Sequence, residues 1–203
     1  MLTGLYAPES GRVLWSGRDV AELGSGAVWP RGSVLVQDFV HSQLTAWENI
    51  GLGQPDRAHD HAAIEETARQ TGAYGLLSRL PKGFDTRLTR QFDDGTDLSG
   101  GQWQRVALTR ATFRSADLVI LDEPTAALDP QAEADFFAQA RQLMAGRTLL
   151  LISHRLAGVR GADLIVVMHE GRVVEQGSHA DLLAVGGRYA ALVARTEEVM
   201  PSR

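Results

Sequence analysis

The sequence has 203 residues, 44% of them apolar and 22% charged, which suits one globular unit, or two small ones, with a sizeable core. A net charge of −5 argues against a general binder of phosphate backbones, so nucleic acid is not expected as a partner. The absence of cysteine excludes a disulfide framework and thiolate metal sites, and fits a reducing cytoplasm.

The N-terminal stretch "MLTGLYAPESGRVLW" has no charged region leading into an apolar one, so no signal peptide is read there. "GRVLWSGRDVAEL" (11–23) reads as a short strand, a glycine turn and a second strand. "GSVLVQDF" (32–39) reads as a buried strand ending at Gln37. From residue 45 the character changes. "AAIEETARQTGA" and "AYGLLSRLP" have helical spacing, with Pro81 closing the second. "KGFDTRLTRQFDDGTD" (82–97) is an irregular polar connection. From Ser99 a helix runs to about Arg114, with Val106, Ala107, Arg110 and Ala111 on related faces.

Beyond it the pattern alternates. "ADLVILDE" is a continuous apolar strand of the kind covered on both faces in a parallel sheet. "DPQAEADFFAQARQLMAG" is a helix with Asp129 as N-cap and Pro130 at its first position. "RTLLLIS" is a second buried strand, "ADLIVVMHEGRVVEQG" a hairpin turning at Glu170–Gly171, and Ser178 opens the closing helical segment. No apolar run, "TLLLIS" included, can span a bilayer, so a membrane role has to pass through a partner. This order predicts an α/β layer architecture, with 45–114 as an inserted helical lobe.

The polar residues that punctuate these elements carry the chemistry. Asp122 and Glu123 end an apolar strand, at the end where open α/β sheets bind ligands. Neighbours on a strand point to opposite faces, so one carboxylate can hold a hydrated Mg²⁺ while the other addresses a water. A strand simply ending in a polar turn gives the same "DE". His154 follows "LLLIS" and can bond a phosphate oxygen or orient a water, or else cap the next helix. Ser99, Gly100 and Gly101 open a helix, where free amides and the helix dipole favour an anion. An ordinary N-cap explains Ser99 but not both glycines. Gln37, at another strand end, reaches a metal or its water, or caps a turn.

Together these pieces resemble the ATP-binding subunits of ABC transporters, over essentially the whole chain and in the family's order. Leu98-Ser99-Gly100-Gly101-Gln102 resembles the signature, "LVILDE" the Walker B strand, and "TAALD" (125–129) the D-loop, with Ala127 where many members have Ser. His154 matches the H-loop and Gln37, in "VLVQDF", the Q-loop. "LTAWENIGLG" resembles the stretch that touches the membrane partner, and "GRVVEQGSHADLL" the tail of exporter-type members. The resemblance implies a P-loop NTPase-like (RecA-like) parallel sheet, incomplete here, with an inserted α-helical subdomain. Residues 1–37 are expected to be a remnant of the N-terminal lobe, 38–114 the helical subdomain and 115–203 the catalytic α/β lobe.

It also implies ATP and Mg²⁺ as ligands, with Glu123 as general base and His154 holding the γ-phosphate and water. Asp122 and Gln37 would serve Mg²⁺. Ser99, Gly100, Gly101, Gln102 and Asp129 would face nucleotide in a head-to-tail dimer with a second ATP-binding domain. A permease domain or subunit would hold the chain at the cytoplasmic face of the membrane. The family's P-loop, G-x-x-x-x-G-K-[ST], has no counterpart: the only lysine is Lys82. "MLTGLYAPESGRV" resembles the family's segment after the P-loop helix, so Met1 is expected to be an internal methionine of a longer subunit and the chain alone to be inactive. Two alternatives are a non-catalytic partner that contributes only its signature face, and a non-transport ABC ATPase.

Overall fold

The computed structural model of the chain describes residues 2–125 and 130–199. It opens with a two-residue ladder, β1 (Leu14–Trp15) against β2 (Arg18–Asp19). The second strand expected here is cut short. Asp19 accepts a hydrogen bond from the Ala21 amide and caps a helical turn, α1 (Val20–Leu23), whose continuation is α2 (Ser25–Val28).

The next strand, β3 (Gly32–Leu35), joins β4 (Leu118–Asp122) and β5 (Thr148–Ile152) in a three-stranded parallel sheet ordered β3-β4-β5. β4 lies in the middle and buries its three central residues, as its unbroken apolar run requires. The flanking strands depart from expectation. β3 ends at Leu35 rather than Gln37, and Val34 and Val36 are 44% and 45% exposed. β5 is half-exposed along its length, with Ile152 46% exposed. Both have a ladder partner on one side only among the described residues, so an apolar sequence here does not imply burial on both faces.

Between β3 and β4 the chain makes α3 (Ala46–Gly51), α4 (His61–Gln70), α5 (Tyr74–Leu77) and the long α6 (Gly100–Phe113). Ile50, Ile64, Leu77, Leu88, Trp103, Val106 and Phe113 pack into one cluster there. A second cluster joins the sheet to its helices through Leu35, Leu108, Ala111, Val119, Leu121, Phe136, Phe137 and Met144. The last three come from α7 (Pro130–Leu143) and the turn after it. α6 feeds both clusters: Trp103, Val106 and Phe113 enter the first, Ala107, Leu108 and Ala111 the second.

After β5 come a short α8 (Leu156–Val159), the antiparallel hairpin β6 (Ile165–His169) and β7 (Arg172–Gly177), then α9 (His179–Val185) and α10 (Arg188–Val199). The hairpin turns at Glu170 and Gly171, both with positive φ, 48° and 74°, as a two-residue type I′ turn needs. Ser178 caps α9 in a reciprocal box with Asp181. No helix among the described residues is long and apolar enough to cross a membrane.

Candidate active site

The three strands run parallel, so their C-terminal ends share one edge of the sheet. Leu35 pairs in register with Leu121, and Asp122 with Ile152. That places Gln37, Asp122, Glu123 and His154 at the edge where such sheets bind ligands.

Glu123 and His154 meet. The Glu123 Oε1 atom accepts from the His154 backbone N–H at 3.0 Å and lies 2.7 Å from His154 Nδ1. The side chains are 18% and 70% exposed, so the carboxylate is shielded while the imidazole faces solvent. With Nδ1 as donor, the ring presents Nε2 outward as an acceptor. The Glu123 backbone takes a φ of 46°, a strained value for a residue with a side chain, and its N–H donates to Ile152 O at 2.9 Å. Glu123 thus leaves the extended conformation of the strand that ends at Asp122.

Asp122 ends β4 half-buried, its carboxylate without a hydrogen-bond partner among the described residues, and the Gln37 side chain is exposed and equally unpartnered. An unpaired carboxylate and an unpaired amide on one edge fit a hydrated Mg²⁺, which takes few protein ligands and keeps its waters. The phosphates are another matter. The one lysine, Lys82, is paired with Asp94 at 2.7 Å in the polar connection, and no glycine-rich phosphate loop occurs in the sequence. These residues fit the metal and the attacking water but not the chain of phosphates.

The signature residues lie elsewhere. Ser99 caps α6: its N–H donates to Gln102 Oε1 at 2.8 Å, and its Oγ accepts from the Gln102 N–H at 3.4 Å. The N-cap reading of Ser99 is therefore correct, and Gln102 closes the same box. The Gly100 and Gly101 amides in the first turn have no intrahelical acceptor. A Cβ built at Gly100 would meet nothing within 4 Å, so packing inside this chain does not demand glycine there. A cleft of about 310 Å³ between α6 and α7, lined by Ser99, Gly101, Gln102, Arg105 and Asp135 among others, opens beside this terminus. The structure gives no contact between these residues and Glu123 or His154. Asp129 lies outside the described residues.

Supporting residues escaped the reading of the sequence. Gln104, only 6% exposed, donates from Nε2 to Pro124 O at 2.9 Å, tying the signature helix to the end of the Asp-Glu strand. Arg110 donates from Nε to Asn49 O at 2.7 Å and from Nη2 to Asn49 Oδ1 at 2.9 Å. Asn49 is fully buried and donates to the carbonyls of Ser42, Leu44 and Thr45. Burial lowers the Arg110 pKa below the usual guanidinium value. A polar residue on the buried face of a periodic helix was the available signal.

A family model described as ABC transporter matches residues 1–126, more than half of the chain. The chain belongs to the ABC transporter family. Over 183 residues it is 43% identical to the subtilin transport ATP-binding protein SpaT of Bacillus subtilis, covering 90% of this chain and 30% of that protein. Over 192 residues it is 39% identical to the ATP-dependent lipid A-core flippase of Chromohalobacter salexigens, covering 95% of this chain and 32% of the flippase. A bacterial Atm1-family ABC exporter solved with ATP bound superposes with a TM-score of 0.85 at 34% identity, over 96% of this chain and 33% of the exporter. The fold is thus that of an ABC nucleotide-binding domain, and the chain spans about a third of the length of the curated relatives it matches.

Proposed function

We propose that this chain is part of an exporter-type ABC transporter subunit and carries the hydrolytic half of its ATP site. The observation that bears most weight is the Glu123–His154 contact at the C-terminal edge of the parallel sheet. Glu123 acts as general base towards the attacking water, and His154, held by it, offers Nε2 as an acceptor to the water. Asp122 and Gln37 would hold Mg²⁺, which when bound would supply positive charge to the phosphates. The Gly100 and Gly101 amides and Ser99, with Asp129, address a nucleotide across a head-to-tail dimer. The ATP-driven transport named for the relatives passes to this chain through a permease domain or subunit at the cytoplasmic face of the membrane.

The phosphate cradle is supplied by residues other than these 203, in the same subunit or in a partner. A P-loop gives several charged hydrogen bonds worth about 1.5–3 kcal/mol each. Lacking four of them costs roughly four to nine powers of ten in affinity. The chain alone is expected to show no micromolar binding of Mg-ATP by calorimetry. Joined behind the P-loop segment of an exporter relative, it should hydrolyse ATP, and Glu123→Gln should lower turnover by about 10²–10⁴ with nucleotide binding retained. Near-parent hydrolysis by that variant would remove Glu123 from the role of base. The missing P-loop also favours a second reading, a subunit that lends only its signature face to a complete partner. Under it the joined protein stays inactive, while the chain alone raises the ATPase rate of a P-loop-containing partner.

A further inference from the structure

Glu133 stands in the first turn of α7, directly after residues 126–129, and its side chain is only 4% exposed. Its Oε2 meets Arg155 Nη1 at 2.7 Å, while its Oε1 has no hydrogen-bond partner among the described residues. Compare Arg69–Glu65, also at 2.7 Å, whose side chains are 47% and 35% exposed. A pair of that kind contributes little. A carboxylate withdrawn from water depends on its cation far more, and losing either partner leaves a buried charge uncompensated.

Arg155 is the residue after His154. Several contacts hold the turn they share, among them three that matter here. The His154 N–H donates to Glu123 Oε1 at 3.0 Å, the Arg155 N–H donates to Ser153 Oγ at 3.0 Å, and the Arg155 guanidinium is held by Glu133. The first two are local to the strand ends. Of the three, only the last ties this turn to another layer of the fold. We propose that Glu133, acting through Arg155, is a positioning residue that fixes His154 against Glu123 and couples the start of α7 to the hydrolytic pair. Its catalytic meaning rests on the proposed roles of Glu123 and His154.

The test needs no nucleotide. In the chain as it stands, amide hydrogen exchange reports the His154 and Arg155 N–H groups, and ¹⁵N NMR of the imidazole reports which ring nitrogen carries the proton. Glu133→Gln keeps the shape and removes the charge. In this variant the His154 and Arg155 amides should exchange at least about tenfold faster, the least that loss of a charged hydrogen bond gives. The proton should also leave Nδ1, while the amides of β4 and β5 keep parent rates. Unchanged exchange and an unchanged tautomer at His154 would overturn the proposal. Equal acceleration throughout, or loss of folding, would overturn it too, because the pair would then hold the fold at large rather than one turn. The hydrolytic reading fails separately, in the ATPase assay of Glu123→Gln.

Discussion

Replacing Glu123 by alanine and by glycine separates its side chain from its backbone. Both variants lose the two contacts that the carboxylate makes with His154. They differ in how they tolerate a φ of 46°. A residue with a Cβ pays about 1–2 kcal/mol for that conformation. Glycine avoids the penalty but loses about 0.4–1 kcal/mol through the freedom it gains in the unfolded chain. The difference leaves glycine more stable than alanine by up to about 1.6 kcal/mol, and by about 0.8 kcal/mol at the midpoints of the two ranges. At an ordinary strand end the order is reversed. Urea denaturation of the two proteins, compared at equal slope, measures the difference, and thermal melting should show it as about 2–4 °C per kcal/mol. Alanine equal to or more stable than glycine would show that the turn at Glu123 is unstrained. The conclusion that a reactive side chain is held at a conformational cost would then fall.

The outer edge of β5 is apolar and half-exposed, so the chain should self-associate as concentration rises, and Ile152→Lys should shift it towards monomer in size-exclusion chromatography; identical elution of parent and variant at every concentration would refute this. The cap of α3 makes a pH limb. Hydrogen bonds from the Thr45 backbone and hydroxyl hold the Glu48 pKa below its ordinary value of 4.5. The stability it gives is present above that value and is lost as pH falls through the lower folded value. Glu48→Gln, which removes the titrating group, should flatten the acid side of a stability-versus-pH curve, and an unaltered curve would exclude the cap as its source.

How much of this was legible beforehand varied with the element. β4 announced itself because an unbroken apolar run needs cover on both faces, and it lies at the centre of the sheet. The hairpin was fixed by Glu170–Gly171, and α9 by Ser178, because turns and caps are local chemistry. β3 and β5 were misread for the opposite reason: whether an apolar strand is covered depends on its neighbours, which lie far away in sequence. Asp19 was missed as a cap because a strand pattern hid it. Among the site residues, motif spacing brought Asp122, Glu123 and His154 to one edge correctly. It could not foresee that Glu123 would turn to positive φ and grip His154, or that Ser99 and Gln102 would spend their side chains on each other. Nor could it supply Arg155, Glu133, Gln104 and Asn49, whose side chains reach partners between four and dozens of residues away.

The division of α6 between two cores limits how the molecule can move. Val106 and Leu108 sit two residues apart on this helix and are both fully buried, one in each cluster. Turning α6 about its own axis would draw one of them out of its socket and drive the other into a filled space, and close-packed interiors permit neither. The helix therefore works as a keyed shaft. A load applied at Gly100 and Gly101 can push or tilt it, but cannot spin it, so whatever docks at that end is felt at once on both sides.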